Sequence, residues 1–420
     1  MSEYNDEFIE FPKDWEVKRL NELAKIIMGQ SPPSSAYNDK GQGMPFIQGS
    51  KEFGDIHPSI KTFTTNCKKI APKDSILFSV RAPVGDINIS DREICIGRGI
   101  AAIVPYNKTD LLYLYYYLTY STFKIKRYSS GTTFESIKKR DLENFQIILP
   151  PLDERKKIVK ILNTLDFIII DTTNLIGKLK LLKEKTLNLL ITGKIWHKEF
   201  KDTEIGKIPK NWKVVKLGEI AVDIYRYPTY YNIKYVGMDE GVPEVRAELI
   251  KENGELEDDL SKYRFISKET SQRFSKTILH EGDFVLSVRG TLGKVAIVPK
   301  FLEGANITAN LMKISLNRLK CYPPFFKQFF LSDFFRKNLD NISSQTTIKT
   351  IQASKLKSIK IPLPPLEEQK KIAEILSTID NKIETETKYL DYMKKLKEKL
   401  LAALMTGKIR VNSIATGDFR

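Results

Sequence analysis

The side chains that most readily do chemistry are few and scattered in this 420-residue chain. Its three histidines, His57, His197 and His280, stand far apart without a partner, so they read as structural or exposed rather than catalytic. The cysteines Cys67, Cys95 and Cys321 are odd in number and form no CxxC, which argues against a disulfide framework or a cysteine zinc site and favours a reducing cytoplasm. "TGK" occurs at 192–194 and 406–408, but G-x-x-x-x-G-K-[ST] is absent, so both glycines read as helix caps and not as a phosphate loop. No metal and no cofactor is expected. What the chain does carry is positive charge, 68 Lys and Arg against 52 Asp and Glu, net +16. That balance points to a polyanion, the bland alternative being an ordinary basic cytoplasmic protein.

Sequence in nucleic acid is read at base edges by Arg, Lys, Asn, Gln, Ser or Thr, while other basic groups hold phosphates. "GQSPPSSAYNDKGQG" (29–43) and "PFIQGSKEFG" (45–54) are polar, glycine-rich and flanked by strand-like runs. They offer Gln30, Gln48, Ser50 and Lys51 as base-edge candidates, against the plain reading of solvated loops. Later, "DIYRYPTYYNIKY" (223–235) takes the equivalent place and offers Arg226, Tyr230, Asn232 and Lys234. Arg81 and Arg289 stand in two copies of one motif, "SVRAPVG" (79–85) and "SVRGTLG" (287–293). A residue common to two different surfaces serves a phosphate backbone or the fold, not a base. The same reasoning covers Thr132 and Thr133 with Thr346 and Thr347, and Lys349 beside them; Lys138 and Lys139, near a helix start, suit docking or phosphate.

The elements that must position these residues are also written twice. "LPPLDERKKIVKIL" from Leu149 and "LPPLEEQKKIAEIL" from Leu363 extend without a gap to "TGKI", with 25 identities over 47 residues at an offset of 214. An ungapped match of that length marks a continuous helix, since one inserted residue turns everything after it by about 100°. The first copy places Ile158, Leu162, Leu165, Ile169, Ile176, Leu179 and Leu190 on a heptad stripe. The second places Ile372, Leu376, Ile379, Ile383, Leu390, Met393, Leu400 and Leu404 there. The stripe is interrupted at Thr172 with Glu386 and at Lys183 with Lys397, where the seam is either wet or shifts to Leu182 and Leu396. Pro151 and Pro365 suit the first turn, and Gly193 and Gly407 the closing cap.

The blocks before each helix echo one another too. "PKDWEVKRLNELAKI" (12–26) answers "PKNWKVVKLGEIAVD" (209–223), and "SSGTTFESI" (129–137) answers "SSQTTIKTI" (343–351). Stretches 74–89 and 282–298 predict hairpins; 109–128 and 323–339 predict helices whose aromatic stripes pack a core rather than stack on bases. Residues 1–148 carry 20 basic against 18 acidic groups, whereas 196–362 carry 28 against 20, so the second block should grip phosphates harder. No signal peptide and no run of 18 apolar residues is visible, so no membrane contact is expected.

The doubled "LPPLxEQKKI…TGKI" helix, each copy preceded by W-x-V-x-x-L-x-E-[IL], S-V-R-x-x-x-G and S-x-x-T-x-x-x-I, resembles type I restriction–modification specificity subunits over about 12–410. One departure is Asp153-Glu154-Arg155 in place of the usual Glu-Gln, in a turn expected to face solvent. The resemblance implies an α+β fold: two mixed α/β target recognition domains, joined by two long antiparallel coiled-coil helices in a pseudo-twofold internal repeat. The expected domains are 1–148 and 196–362 for recognition, 149–195 and 363–410 for the helices, and a tail at 411–420.

The resemblance further implies a non-catalytic subunit that binds double-stranded DNA, each domain reading half of a split, asymmetric site. Two copies of a DNA adenine methyltransferase subunit would dock on it, with ATP-driven restriction subunits joining through the complex, in the cytoplasm. Absence of an [ND]-P-P-[YF] stretch and of a glycine-rich cofactor loop agrees with a reader and opposes a reader–methyltransferase fusion. The remaining alternative is a coiled-coil scaffold whose basic blocks bind protein or RNA without sequence preference. Two readers on an inverted frame would place half-site centres about 34–36 Å apart. Inserting about one heptad in each helix is therefore expected to change the recognised spacing and leave both half-sites intact, as mapped by methylation; altered bases at constant spacing would contradict a ruler.

Overall fold

The computed structural model describes residues 11–128, 136–343 and 350–411; Thr132, Thr133, Thr346, Thr347 and Lys349 lie outside the described residues. The chain divides into two compact units, residues 1–174 with 388–420, and residues 175–387. Each long helix is shared between them. The first, Leu152–Ile191, gives its early half to the first unit, and the second, Leu366–Met405, gives its early half to the second unit.

In the first unit Val- and Ile-rich segments form an antiparallel sheet in the order Ala24–Met28, Ile100–Pro105, Ile76–Ser79, Ile87–Ile89. A second sheet runs Tyr37–Asn38, Thr62–Thr64, Met44–Ile47, Ile94–Ile96, Ile70–Ala71, with Met44–Ile47 and Ile94–Ile96 parallel. Glu16–Arg19 pairs with Gln146–Leu149, so the chain enters and leaves this lobe side by side, next to the start of the first long helix. Helix Leu111–Tyr128 buries Tyr113, Leu114 and Tyr116, so that aromatic stripe is core.

The second unit repeats the plan: Ala221–Tyr225, Leu311–Leu316, Phe284–Ser287, Val295–Ile297 in one sheet, and Tyr235–Val236, Arg264–Ser267, Gly241–Val245, Asn306–Ile307 in the other. Its entry and exit strands, Lys213–Lys216 and Lys360–Leu363, pair likewise. Where one helix is predicted at 323–339 there are two, Pro323–Leu331 and Asp333–Ile342. Ser332 between them is extended, and its hydroxyl accepts the Phe335 N–H at 3.3 Å. That cap lets Phe325, Phe326, Phe329, Phe330 and Phe335 all enter one core.

Within each unit the two helices run antiparallel. In the first, Ile158 and Leu162 share a core with Leu401, Leu404 and Met405; in the second, Leu187, Leu190 and Ile191 share one with Ile372, Ala373 and Leu376. Of the heptad positions, Leu165, Ile176, Leu390 and Met393 are also buried, while Ile169, Leu179, Ile379, Ile383 and Leu400 are half-buried. Leu182 stays 52% exposed, so the seam does not move onto it. Instead Lys183 reaches Asp380 at 2.6 Å, and Lys397 pairs with Asp166.

The ends of the seam correct two expectations. Glu154 is fully buried, accepting from the Trp15 indole at 3.1 Å and from Arg410 at 2.8 Å, so within the turn at 153–155 Asp153 faces solvent as expected but Glu154 does not. Arg155 pairs with Asp110 and lies 5.9 Å from the Tyr113 ring centre. The other copy does the same with different residues: Glu368 accepts from Trp212 at 2.9 Å and meets His197 at 2.6 Å. The segment after the cap of the antiparallel partner reaches Glu154 in the first turn, with Arg410 and the Val411 N–H donating to its carboxylate. His197 is thus not alone, and His280 has Glu303 at 2.7 Å. Cys67 and Cys95 form a disulfide, against the sequence expectation. The pairing of Ile70 with Cys95 brings them together, a proximity of sheet register that sequence spacing does not report.

Both helices close on a left-handed glycine, Gly193 at φ +70° and Gly407 at φ +69°. Added Cβ atoms would stand 2.2 Å from the Pro209 ring and 2.4 Å from the Pro12 ring, so these caps also pack on the first residue of each repeated PKxW motif. Gly206 is left-handed at φ +102° with open space around it. Gly206→Ala should cost only the conformational penalty, about 1–2 kcal/mol, whereas Gly193→Ala should cost clearly more in chemical denaturation. Equal losses would remove the packing role.

Candidate nucleic-acid interface

The exposed SVR arginines sit at matching corners of the two units. In the first, Arg81 bridges to Ser136, the Ile137 N–H donates to Val80 O at 2.9 Å, and the Val80 N–H donates to Gly99 O at 2.9 Å. In the second, Arg289 bridges to Thr350, the Ile351 N–H donates to Val288 O at 3.1 Å, and the Val288 N–H donates to Asn310 O at 2.9 Å. Three separate chain segments therefore fix each arginine backbone. Among the described residues neither guanidinium has a carboxylate or carbonyl acceptor, which leaves both free for an anion. Lys138 caps the short helix next to the Arg81 bridge, and Lys139 pairs with Glu143 at 3.3 Å while remaining exposed.

Around Arg81 the first unit gathers amides. Gln30 N–H donates to Ile96 O at 3.0 Å and Gly97 N–H to Ile47 O at 2.8 Å, which sets Gln30 and Gln48 on either side of Gly97. The Gln48 amide and the Ser31 hydroxyl bond at 3.0 Å, and Ser31 Oγ accepts the Arg98 N–H at 3.2 Å. Glycines are required here: a Cβ on Gly97 would come within 2.8 Å of the Gln48 side-chain oxygen, and one on Gly99 within 2.5 Å of its carbonyl. Exposed Arg98, between these glycines, escaped the sequence reading; the "GRG" at 97–99 was its signal. Ser50 and Lys51 lie further on, in the turn Ser50–Glu52, with Lys51 exposed.

The second unit supplies different chemistry. Arg226 donates to Ala309 O at 3.1 Å, at the place in the sheet held by Arg98 in the first unit. Burial, then the neighbouring Arg289 charge, lowers the Arg226 guanidinium below its ordinary range. Two cations held together without an acid favour an anionic ligand between them. Tyr230 anchors its loop, its ring 4.3 Å from Phe274 and its hydroxyl 2.9 Å from Thr277; burial pushes that hydroxyl well above the usual range. Beyond it Tyr231 is 60% exposed under Arg273, and Asn232, left-handed at φ +50°, turns the chain outward toward exposed Lys234. Arg246 takes the place of Gln48 after the parallel strand, held by Glu248 at 2.5 Å and Lys262 O at 2.9 Å. Arg264 near Tyr235 and Lys276 near Tyr225 complete an aromatic and basic surface that motif reading missed. Among the described residues no group of three His, Cys, Asp or Glu could hold a metal, and no helix is long and apolar enough to cross a membrane.

Comparison with known proteins agrees with the repeated plan. The family profile of the type I restriction modification DNA specificity domain matches residues 12–183 and again 209–394. The chain is 30% identical over 417 residues to the type I restriction enzyme MjaVIII specificity subunit of Methanocaldococcus jannaschii, covering 96% of this chain and 95% of that one. A 189-residue stretch, 44% of each chain, is 47% identical to a second protein of that organism bearing the name MjaX specificity subunit. The crystal structure of a type I system S subunit from M. genitalium has the same fold, with a TM-score of 0.59 at 17% identity over 96% of this chain and 98% of that one.

Substituting Arg81 or Arg289 by Ala should weaken duplex DNA binding equally on all sequences and flatten the log K against log salt slope by about 0.9 each. Gln48→Ala should instead change which bases are preferred. A changed base preference with Arg289→Ala, at constant salt slope, would reverse these assignments.

Proposed function

The chain belongs to the type I restriction–modification DNA specificity family, and we propose that it is the non-catalytic subunit through which such a complex reads a two-part DNA site. In this reading residues 1–148 and 196–362 are the recognition domains, each taking one half of an asymmetric site. The helices at 149–195 and 363–410 set the gap between halves and seat two adenine methyltransferase subunits, and 411–420 is a tail. Restriction subunits join through that complex.

The observation that carries the proposal is the arginine corner built twice on one backbone plan and surrounded by unlike residues. Arg81 and Arg289 are suited to phosphates, which are the same under every sequence. Gln30 and Gln48 on one side, and Asn232 and Lys234 on the other, are suited to different base edges, while Arg226 stands with Arg289 at the phosphate. Tyr230 supports its loop from within. Chemistry is left to partner subunits, since no catalytic motif accompanies the corner.

Co-expression with a matching methyltransferase subunit, followed by genome-wide mapping of methylated adenines, tests this. Two unlike short half-sites at a fixed gap are expected. Methylation without sequence preference, together with a shallow salt dependence of duplex binding, would leave the scaffold reading in its place.

A further inference from the structure

The polar breaks in the helix seam form a device. Asp166 and Asp380 stand at matching places in the repeat, 214 residues apart, as do Lys183 and Lys397. Each aspartate takes a lysine from the opposite helix: Lys397 on Asp166 and Lys183 on Asp380, with the aspartate side chains 11% and 20% exposed. Each aspartate also takes a donor from its own lobe, but the donors differ. The Tyr116 hydroxyl donates to Asp166 Oδ2 at 2.7 Å, and the Gln328 amide donates to Asp380 Oδ2 at 2.6 Å. Tyr116 is 1% exposed and Gln328 fully buried. Two lobes that differ in sequence have thus arrived at one contact by different side chains.

Stability alone does not require this. Shielded ion pairs can commonly be replaced by well-packed apolar groups without loss, whereas a polar group in a helix seam fixes one arrangement against its neighbours. We infer that Asp166 and Asp380 are positioning residues that lock the seat of each recognition lobe on the helix pair and so hold the recognised gap to a single length. The inference rests on the two-part reading above. Each carboxylate joins three elements, both long helices and one lobe helix, so a lobe cannot tilt on its seat without losing a charge-assisted hydrogen bond.

The test uses the full chain co-expressed with its methyltransferase subunit and a target library whose gap is native, one base pair longer or one shorter. Two variants are compared with the wild type: Asp166→Asn with Asp380→Asn, and Tyr116→Phe with Gln328→Met. The second keeps both ion pairs and so carries the test if the first does not fold. Discrimination between native and altered gaps is expected to fall about tenfold, the scale of one charge-assisted hydrogen bond, with the half-site bases unchanged. A folded variant whose melting temperature drops while gap discrimination stays at the wild-type level would overturn the inference and leave the reading standing. A wild-type chain that shows no gap preference would overturn both.

Discussion

Everything in this molecule is set by a helix that is written twice and packed, within each unit, against its own copy in reverse. Antiparallel pairing brings the first turn of one helix to the capped end of the other. At that crossing a glutamate, the fully buried Glu154 or the half-buried Glu368, takes an indole from the first motif of the adjoining lobe, Trp15 or Trp212. A charge drawn out of water needs partners, and Arg410 in one unit and His197 in the other provide them. The lobe is therefore tied to the helix ends by residues that stand just ahead of its entry strand.

That shared floor explains how two lobes of unlike surface keep one backbone plan. The strand order of the main sheet is the same in both, as is the pairing of entry and exit strands. Free to vary are the segments leaving the strand ends. In the first lobe they carry small residues and amides packed around Gly97 and Gly99; in the second they carry tyrosines and guanidiniums. The greater positive charge of residues 196–362 thus gathers partly at one corner, where Arg226 and Arg289 repel and, among the described residues, neither has an acidic partner.

Much of the fold was legible because its signals are periodic. The heptad stripe, the hairpins around each SVR motif and the capping glycines follow from local geometry that repeats in sequence. What escaped depends on register between distant segments. The Cys67–Cys95 bond needs the pairing of Ile70 with Cys95, and the burial of Glu154 needs the arrival of Arg410. Lys183 and Lys397 looked like defects in a stripe because their aspartates lie on the other helix. The candidate interface was only half legible for the same reason. Gln30 and Gln48 stand on either side of Gly97, but Arg98 and Arg246 gain their places from parallel strand pairs that no local pattern announces.

The central proposal, that each unit carries its own reading surface on its own pair of helix segments, is tested most directly by exchange. Replacing residues 12–148 with the matching segment of another type I specificity subunit, and keeping both long helices and residues 196–362, should change one half-site alone. Mapping of methylated adenines is expected to show the second half-site and the gap unchanged. A shift in both half-sites, or in the gap, would mean that the lobes do not read separately and would contradict the account.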